Sequence, residues 1–336
     1  MEFIKFPSIE GVWREKYIEK VKGYLSKQCN SCDWIVQEKI HGANFSIITD
    51  GINVKYASRN RVLSLDDNFY SFQDCVEKNG LKEKTIKVFF DLKARGYTQI
   101  NYIQIYGELC GGHYPNCENN FKPIQKGVYY SPEIEFVAFG DILINGDEFL
   151  NRNVAVEILE GAGFHVSPVL FKTDEFDNVV NYKNEFESEI FKLFDLPKIE
   201  GNICEGVVIK PVDDFVLHDG SRVVLKSKNE KFMEKAKELK QKKLKKELSE
   251  DEKNFLNEIF KYITENRFNN VVSKISNISD KDFGKLLVEF QKDIENEFIK
   301  DVGLEIWNVY MSHKNIRKLF SKECANFIRP FFVKQI

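Results

Sequence analysis

The chain of 336 residues contains no unbroken apolar run of about 18 residues, so nothing in it reads as a membrane-spanning helix. The opening MEFIKFPSIEGVWREK carries acids early and has no hydrophobic centre, so no secretory leader is expected from it. Cysteine is scarce and odd in number, seven in all, which excludes a disulfide scaffold and points to reduced thiols in a cytoplasmic or other intracellular setting. There is no excess of charge of either sign. Lys and Arg number 49 against 52 Asp and Glu, a formal charge of −3, so any nucleic-acid surface has to be a local patch.

What is present is globular. Hydrophobic residues make up 43% and charged residues 30%, which excludes a disordered, collagen-like or purely coiled-coil chain, and the length suits roughly two domains.

The first two thirds read as antiparallel β structure with inserted helices. In residues 52–57, Ile52, Val54 and Tyr56 alternate with polar neighbours, the pattern of a half-buried strand. Asp50-Gly51, Asn145-Gly146 and Asp219-Gly220 each separate two apolar runs, and such pairs favour two-residue hairpin turns. Further strands are expected at 102–109 and 206–211, and helices near 68–79, 83–95 and 151–161.

The pattern changes after residue 228. From Lys226 to Lys246 there are ten lysines, which read either as a solvated helix or linker or as a basic strip that touches phosphates. Beyond it the spacing is helical: Phe255, Ile259, Tyr262 and Ile263 share a face, as do Phe283, Leu286, Leu287 and Phe290. Ser249 with Glu252 and Ser279 with Asp282 have the spacing of helix N-caps. The expectation is an α+β chain: residues 1–230 as antiparallel sheets with flanking helices, 231–247 as a Lys-rich linker, and 248–336 as an all-α domain.

Taken singly, the polar residues have ordinary explanations. A lone lysine is surface, and one phenylalanine among 29 is core. The order of several segments is harder to dismiss. Lys39-Ile40-His41-Gly42 runs from a strand end into a Gly turn, Arg59 follows the first hairpin, and Glu108 ends a strand. Phe139 lies in Phe-Val-Ala-Phe, Glu205 opens Glu-Gly-Val-Val-Ile-Lys and leads to Lys210, and Lys226 and Lys228 share one side of a strand.

In that order and spacing these segments resemble the covalent nucleotidyltransferases, the polynucleotide ligases and RNA-capping enzymes, whose nucleophile motif is Lys-x-(Asp/His/Asn)-Gly. His at the third place of Lys-Ile-His-Gly-Ala-Asn-Phe resembles the phage-type RNA ligase 2 family, related to the kinetoplastid RNA-editing ligases. The segments 266–275 and 281–285 resemble the helical domain of the phage enzyme, whereas Gln37 and Ser58 stand where that enzyme is basic.

The resemblance implies an ATP-dependent RNA ligase that seals 3′-OH/5′-phosphate nicks in duplex RNA, with ATP as AMP donor, Mg²⁺ or Mn²⁺ as metal, and a monomeric enzyme. Lys39 would be the nucleophile. Phe139 would stack on adenine, the backbone around Glu38 and Ile40 would read the base edge, and Arg59 and Glu108 would hold the ribose. Asn44 would lie beside the reacting phosphate, Lys210, Lys226 and Lys228 would bind the α-phosphate, and Glu205 would bind metal or orient Lys39. Arg267 would either pair with an acid or contact RNA.

Three other readings compete. An mRNA guanylyltransferase or a DNA ligase would append a domain of short strands, where this sequence is helical. A catalytically inactive RNA-binding subunit would be free to lose Lys39, Glu205, Lys226 and Lys228. A structural zinc on Cys29 and Cys32 with Cys110, His113 and Cys117 would require those segments to meet.

Overall fold

A computed structural model describes residues 1–28, 32–118, 121–232, 248–275 and 282–333. The chain divides into two compact units, Met1–Lys231 and Phe232–Ile336. Most of the Lys-rich stretch (233–247), Cys29 and Ser279 lie outside the described residues.

The first unit is built on two sheets. One has five strands in the order β1 (Glu10–Gly11), β12 (Leu225–Lys228), β11 (Gly206–Pro211), β2 (Trp34–Glu38) and β10 (Val169–Thr173). The other runs β5 (Val62–Leu63), β4 (Val54–Ser58), β3 (Ala43–Thr49), β6 (Ile103–Gly111), β7 (Ile134–Ile144) and β8 (Glu148–Phe149), with β9 (His165–Val166) also on β7. Pairing is antiparallel except for β1 with β12 and β7 with β9, which run parallel.

Helices cover one face of each sheet. Ile18 and Val21 of α1 (Glu15–Gln28) and Phe176 and Val179 of α5 (Phe176–Val180) bury against Trp34, Val36, Val207, Ile209 and Leu225 of the five-stranded sheet. On the other sheet, α2 (Phe72–Lys78), α3 (Leu81–Ala94) and α4 (Arg152–Gly161) pack on Phe45, Ile47, Ile105, Leu109, Phe136 and Ala138. Because strand side chains alternate, the remaining rows point the other way, and there the sheets meet: Lys210 of β11 reaches Phe139 and Asp141 of β7.

The turns divide. Asn145 and Gly146 both have positive φ, 53° and 85°, and the Asp147 N–H donates to the Ile144 carbonyl at 3.0 Å, a tight turn, but Ile144 pairs with Glu148, so the loop holds three residues instead of the expected two. Asp50-Gly51 instead opens a four-residue loop, since Thr49 pairs with Val54. The Asp50 carboxylate takes the N–H groups of Ile52 and Asn53 at 3.0 and 2.7 Å, an Asx turn that replaces the tighter form. Asp219-Gly220 closes only an isolated bridge between Val216 and Arg222.

The second unit is helical among its described residues: α6 (Glu250–Phe260), α7 (Glu265–Val272), α8 (Phe283–Val302), α9 (Leu304–Met311) and α10 (Lys314–Val333). Ser249 and Glu252 form a reciprocal capping box on α6, as their spacing predicts. Phe255, Ile259, Tyr262, Leu286 and Phe290 join one apolar core with Trp307, Phe320 and Ile328. Helix α6 ends at Phe260, so Tyr262 reaches that core from the following turn.

Candidate active site

On the five-stranded sheet, Leu225 and Val207 point to the helix-covered core, so Lys226, Lys228, Val208 and Lys210 face the other sheet. Lys39 follows β2 on the same side, its N–H donating to the Gly206 carbonyl at 2.9 Å. On the facing sheet, Asn44 and Glu108 are paired in register, on the opposite parity from core residues Ala43 and Leu109. The Gly of Lys-Ile-His-Gly has a steric reason: a Cβ on Gly42 would come within 2.0 Å of the Leu109 carbonyl oxygen. The nucleophile segment can therefore lie against β6, bringing the two sheets' functional residues together.

Glu205 is the hub. Its Oε2 accepts from the Lys39 Nζ at 2.7 Å and lies 3.3 Å from the His41 Nδ1, while its Oε1 accepts from the Lys228 Nζ at 2.9 Å. Burial opposes its charge, but Lys228, Lys39 and His41 outweigh burial and hold the carboxyl well below the usual range. Glu108 goes the other way. Burial pushes it up to about 8 against the pull of Lys39, the Glu205 charge adds to the rise, and Arg59 opposes it. Two neighbouring carboxyls are thus split, one fixed as an anion and one able to carry a proton near neutrality. Such a split is characteristic of sites that handle charge.

Phe139 sits on a distortion that the sequence reading missed. Between the pairs Tyr106–Asp141 and Gly107–Ala138, β7 carries two extra residues, Phe139 and Gly140, the latter with φ of 76°. A bulge of this kind re-aims a side chain and leaves carbonyls outside the ladder. Buried Arg152 takes them, donating from one guanidinium nitrogen to Phe139 at 2.6 Å and Gly140 at 3.4 Å. Lys210 donates to the same Phe139 carbonyl at 3.1 Å and lies 5.8 Å from the ring centroid. The available signal was Gly140 inside an otherwise strong strand.

Lys210 therefore stands at the Phe139 end, not beside Glu205. It pairs with Asp141, which also takes Arg222, itself paired with Asp214 at 2.7 Å. Burial and the flanking Arg152 and Arg222 pull Lys210 down against Asp141, whose own carboxyl these cations hold low despite its burial.

Glu38 offers more than backbone. Its carbonyl accepts from the Ser167 hydroxyl at 3.3 Å, and its Oε2 accepts from the Glu189 N–H at 3.1 Å. Its Oε1 is buried without a partner, and burial pushes the carboxyl up to about 7 against the Ser188 and Glu189 hydrogen bonds. Ile40 is buried, while Asn44, Arg59, Phe139 and Lys226 are half-exposed.

Arg267, in the second unit, is buried and paired with Asp293 at 2.7 Å, the acid-pairing alternative. Among the described residues no three His, Cys, Asp or Glu side chains come together to hold a metal ion. Glu205, held as an anion, nevertheless suits Mg²⁺, which keeps most of its waters and is held by one or two carboxylates plus substrate phosphates.

The RNA ligase family model matches residues 33–228, and the model described as T4 RNA ligase 2 C-terminal matches 245–326. The mitochondrial RNA-editing ligase 1 of Trypanosoma brucei brucei is 29% identical over 252 residues, covering 63% of this chain and 52% of that protein. The chain thus spans about half the length of the curated relative it matches. A Naegleria gruberi RNA ligase mutant solved with ATP and Mn aligns at a TM-score of 0.45 and 17% identity, over 70% of this chain and 58% of that one. A second mutant of that ligase, with AMP and Mn, aligns at 0.43 and 16% identity, over 69% and 58%. With the first model spanning more than half of its length and the second falling on its helical unit, the chain belongs to the RNA ligase family, with a C-terminal region of the T4 RNA ligase 2 type.

Proposed function

We propose that this chain is an ATP-dependent RNA ligase that seals 3′-OH/5′-phosphate nicks in duplex RNA, working as a monomer. The observation that carries the reading is Lys39, its amine 2.7 Å from a carboxylate whose second oxygen holds Lys228, within the residues that the RNA ligase model matches.

In the first step Lys39 gives up a proton to solvent and leaves Glu205. Its nitrogen attacks the α-phosphorus of ATP, forming the N–P bond as the bond to the β-phosphate oxygen breaks, and pyrophosphate departs with the electron pair. Lys226 and Lys228 meet the charge that gathers on the α-phosphate oxygens, a preorganised form of stabilisation. Mg²⁺ would be held by Glu205 together with the phosphates and would supply further positive charge there. Phe139 stacks on adenine, the backbone of Glu38 and Ile40 meets its edge, and Lys210 supports the ring from its buried pair with Asp141 rather than binding phosphate. Arg59 and Glu108 hold the ribose, where a Glu108 carboxyl that keeps its proton near neutrality can donate as well as accept. Asn44 lies beside the phosphate.

AMP then passes to an RNA 5′-phosphate, and a 3′-hydroxyl displaces AMP to seal the strand. Residues 1–230 carry the chemistry, and residues 248–336 support the duplex, which is read by A-form shape and 2′-hydroxyls.

The test supplies ATP, Mg²⁺ and a nicked RNA duplex labelled at the 5′-phosphate. A transient adenylylated strand followed by sealed product is expected. Sealing of a DNA nick but not an RNA nick would contradict the assignment.

A further inference from the structure

We propose that Trp13 is a stacking platform for a nucleobase of the RNA strand that passes over the sheet face carrying Lys226, an assignment that rests on the ligase reading above.

The indole can be placed from the sheet register. Gly11, the last residue of β1, pairs in parallel with Lys226, and the Val12 N–H donates to the Lys226 carbonyl at 3.0 Å. Paired residues on neighbouring strands point to the same face, and Lys226 points away from the core that holds Leu225. A side chain on Gly11 would therefore point with Lys226 toward the catalytic side. The Trp13 ring already occupies that place: a Cβ on Gly11 would come within 2.4 Å of it. The chain turns between Gly11 and Arg14, closed by an N–H to carbonyl bond of 3.0 Å, and so folds the ring back over β1. The indole thus lies on the same face as Lys226, Lys228 and Lys39, with one strand spacing, roughly 4.8 Å, between its support and Lys226.

Its surroundings leave it available. Trp13 is 41% exposed, whereas Trp34 and Trp307 are 0% and 7% exposed. Among the described residues it makes no ring–ring contact and no side-chain hydrogen bond. One face packs on Gly11, and the remainder meets solvent beside a row of lysines. A flat apolar surface next to cations matches a nucleotide, whose base offers a π-face whatever its sequence and whose phosphate takes the charge. An apolar peptide would have to strip water from Lys226 and return nothing for it. The adenine of ATP has its own ring, Phe139, on the opposite sheet.

The experiment titrates the full-length protein, without ATP, with a nicked RNA duplex while following tryptophan fluorescence. Quenching of the exposed indole is expected. Trp13→Ala should raise the RNA Kd about tenfold to a hundredfold, the usual range for one stacked base. Trp13→Phe should remove most of the quenching yet bind within about threefold of wild type, and this rescue separates stacking from a folding defect. Both variants should accept label from ATP at the wild-type rate. Unchanged RNA affinity in Trp13→Ala, or quenching by ATP alone at wild-type strength, would overturn the proposal while leaving the ligase reading intact. Failure of the wild-type protein to take label from ATP would instead count against the ligase reading.

Discussion

Two ionic clusters occupy the same layer between the sheets, each a buried carboxylate ringed by cations, yet they are suited to different work. Around Glu205, one carboxylate gathers Lys39, Lys228 and His41, and the Lys39 side chain keeps 19% of its surface in solvent. Around Asp141, Lys210 and Arg222 are 3% and 7% exposed, and Arg152 adds a third buried cation. Lysine can release its proton and leave its partner, whereas a guanidinium cannot. Lys210 is a lysine too, but it is buried and closed in by Arg152 and Arg222, so only the first cluster holds a lysine that reaches solvent, the proposed nucleophile, and the second holds shape. The lesson is that burial and the choice of cation, not the presence of an ion pair, separate a reactive site from a brace.

Removing one charged member from each cluster sharpens the contrast. Lys228→Ala should lower the rate of label transfer from ATP by about 10²–10³, the cost of losing one preorganised contact to a developing charge. Glu205 keeps Lys39 and His41 in that variant, so urea unfolding should move less than in the next one. Asp141→Asn leaves Lys210, Arg152 and Arg222 buried with only Asp214 for balance, and a loss of about 3–5 kcal/mol is expected in urea unfolding. Equal stability losses in the two variants would erase the distinction between the clusters.

Glu38 gives a third contrast, because its carboxyl is buried with one oxygen unpaired. Its folded value, about 7, lies above that of the unfolded chain, so the folded state binds the proton more tightly. Glu38 therefore erodes stability as pH rises from about 4.5 toward 7, by on the order of 2–3 kcal/mol. Glu38→Gln should flatten the dependence of thermal midpoint on pH across that window, and an unchanged slope would contradict the assignment. The smallest effect is expected far from either cluster: Ser249→Ala removes half of the α6 capping box and should cost about 1 kcal/mol, read by urea unfolding.

Much of this was legible in the sequence, for identifiable reasons. The Ser249–Glu252 spacing is a local signal that local geometry honours, and Val54 and Tyr56 fall in β4 as their alternation suggests, whereas Ile52 lies 79% exposed in the loop before it. Lys39, Glu205 and Lys228 were legible through motif order, and the fold brings them within hydrogen-bond distance. Helix α1 stands where no helix was expected, although Ile18, Val21 and Leu25 repeat at helical spacing. Arg152 could not be read as the partner of the Phe139 and Gly140 carbonyls, since those are freed by a two-residue bulge that only pairing with β6 reveals. Lys210 misled for the same reason: it shares a face with Lys226 and Lys228, but the distance along the strand delivers it to Asp141 rather than to Glu205.

The central claim is that Lys39 is a nucleophile poised on Glu205, and one measurement addresses it directly. Purified protein, first treated with pyrophosphate to remove any AMP already attached, is mixed with Mg²⁺ and α-labelled ATP or GTP and then denatured. The account predicts a stable label from ATP, none from GTP, and none in Lys39→Ala. A label from GTP, a label that persists without Lys39, or no label on a folded wild-type chain would contradict it.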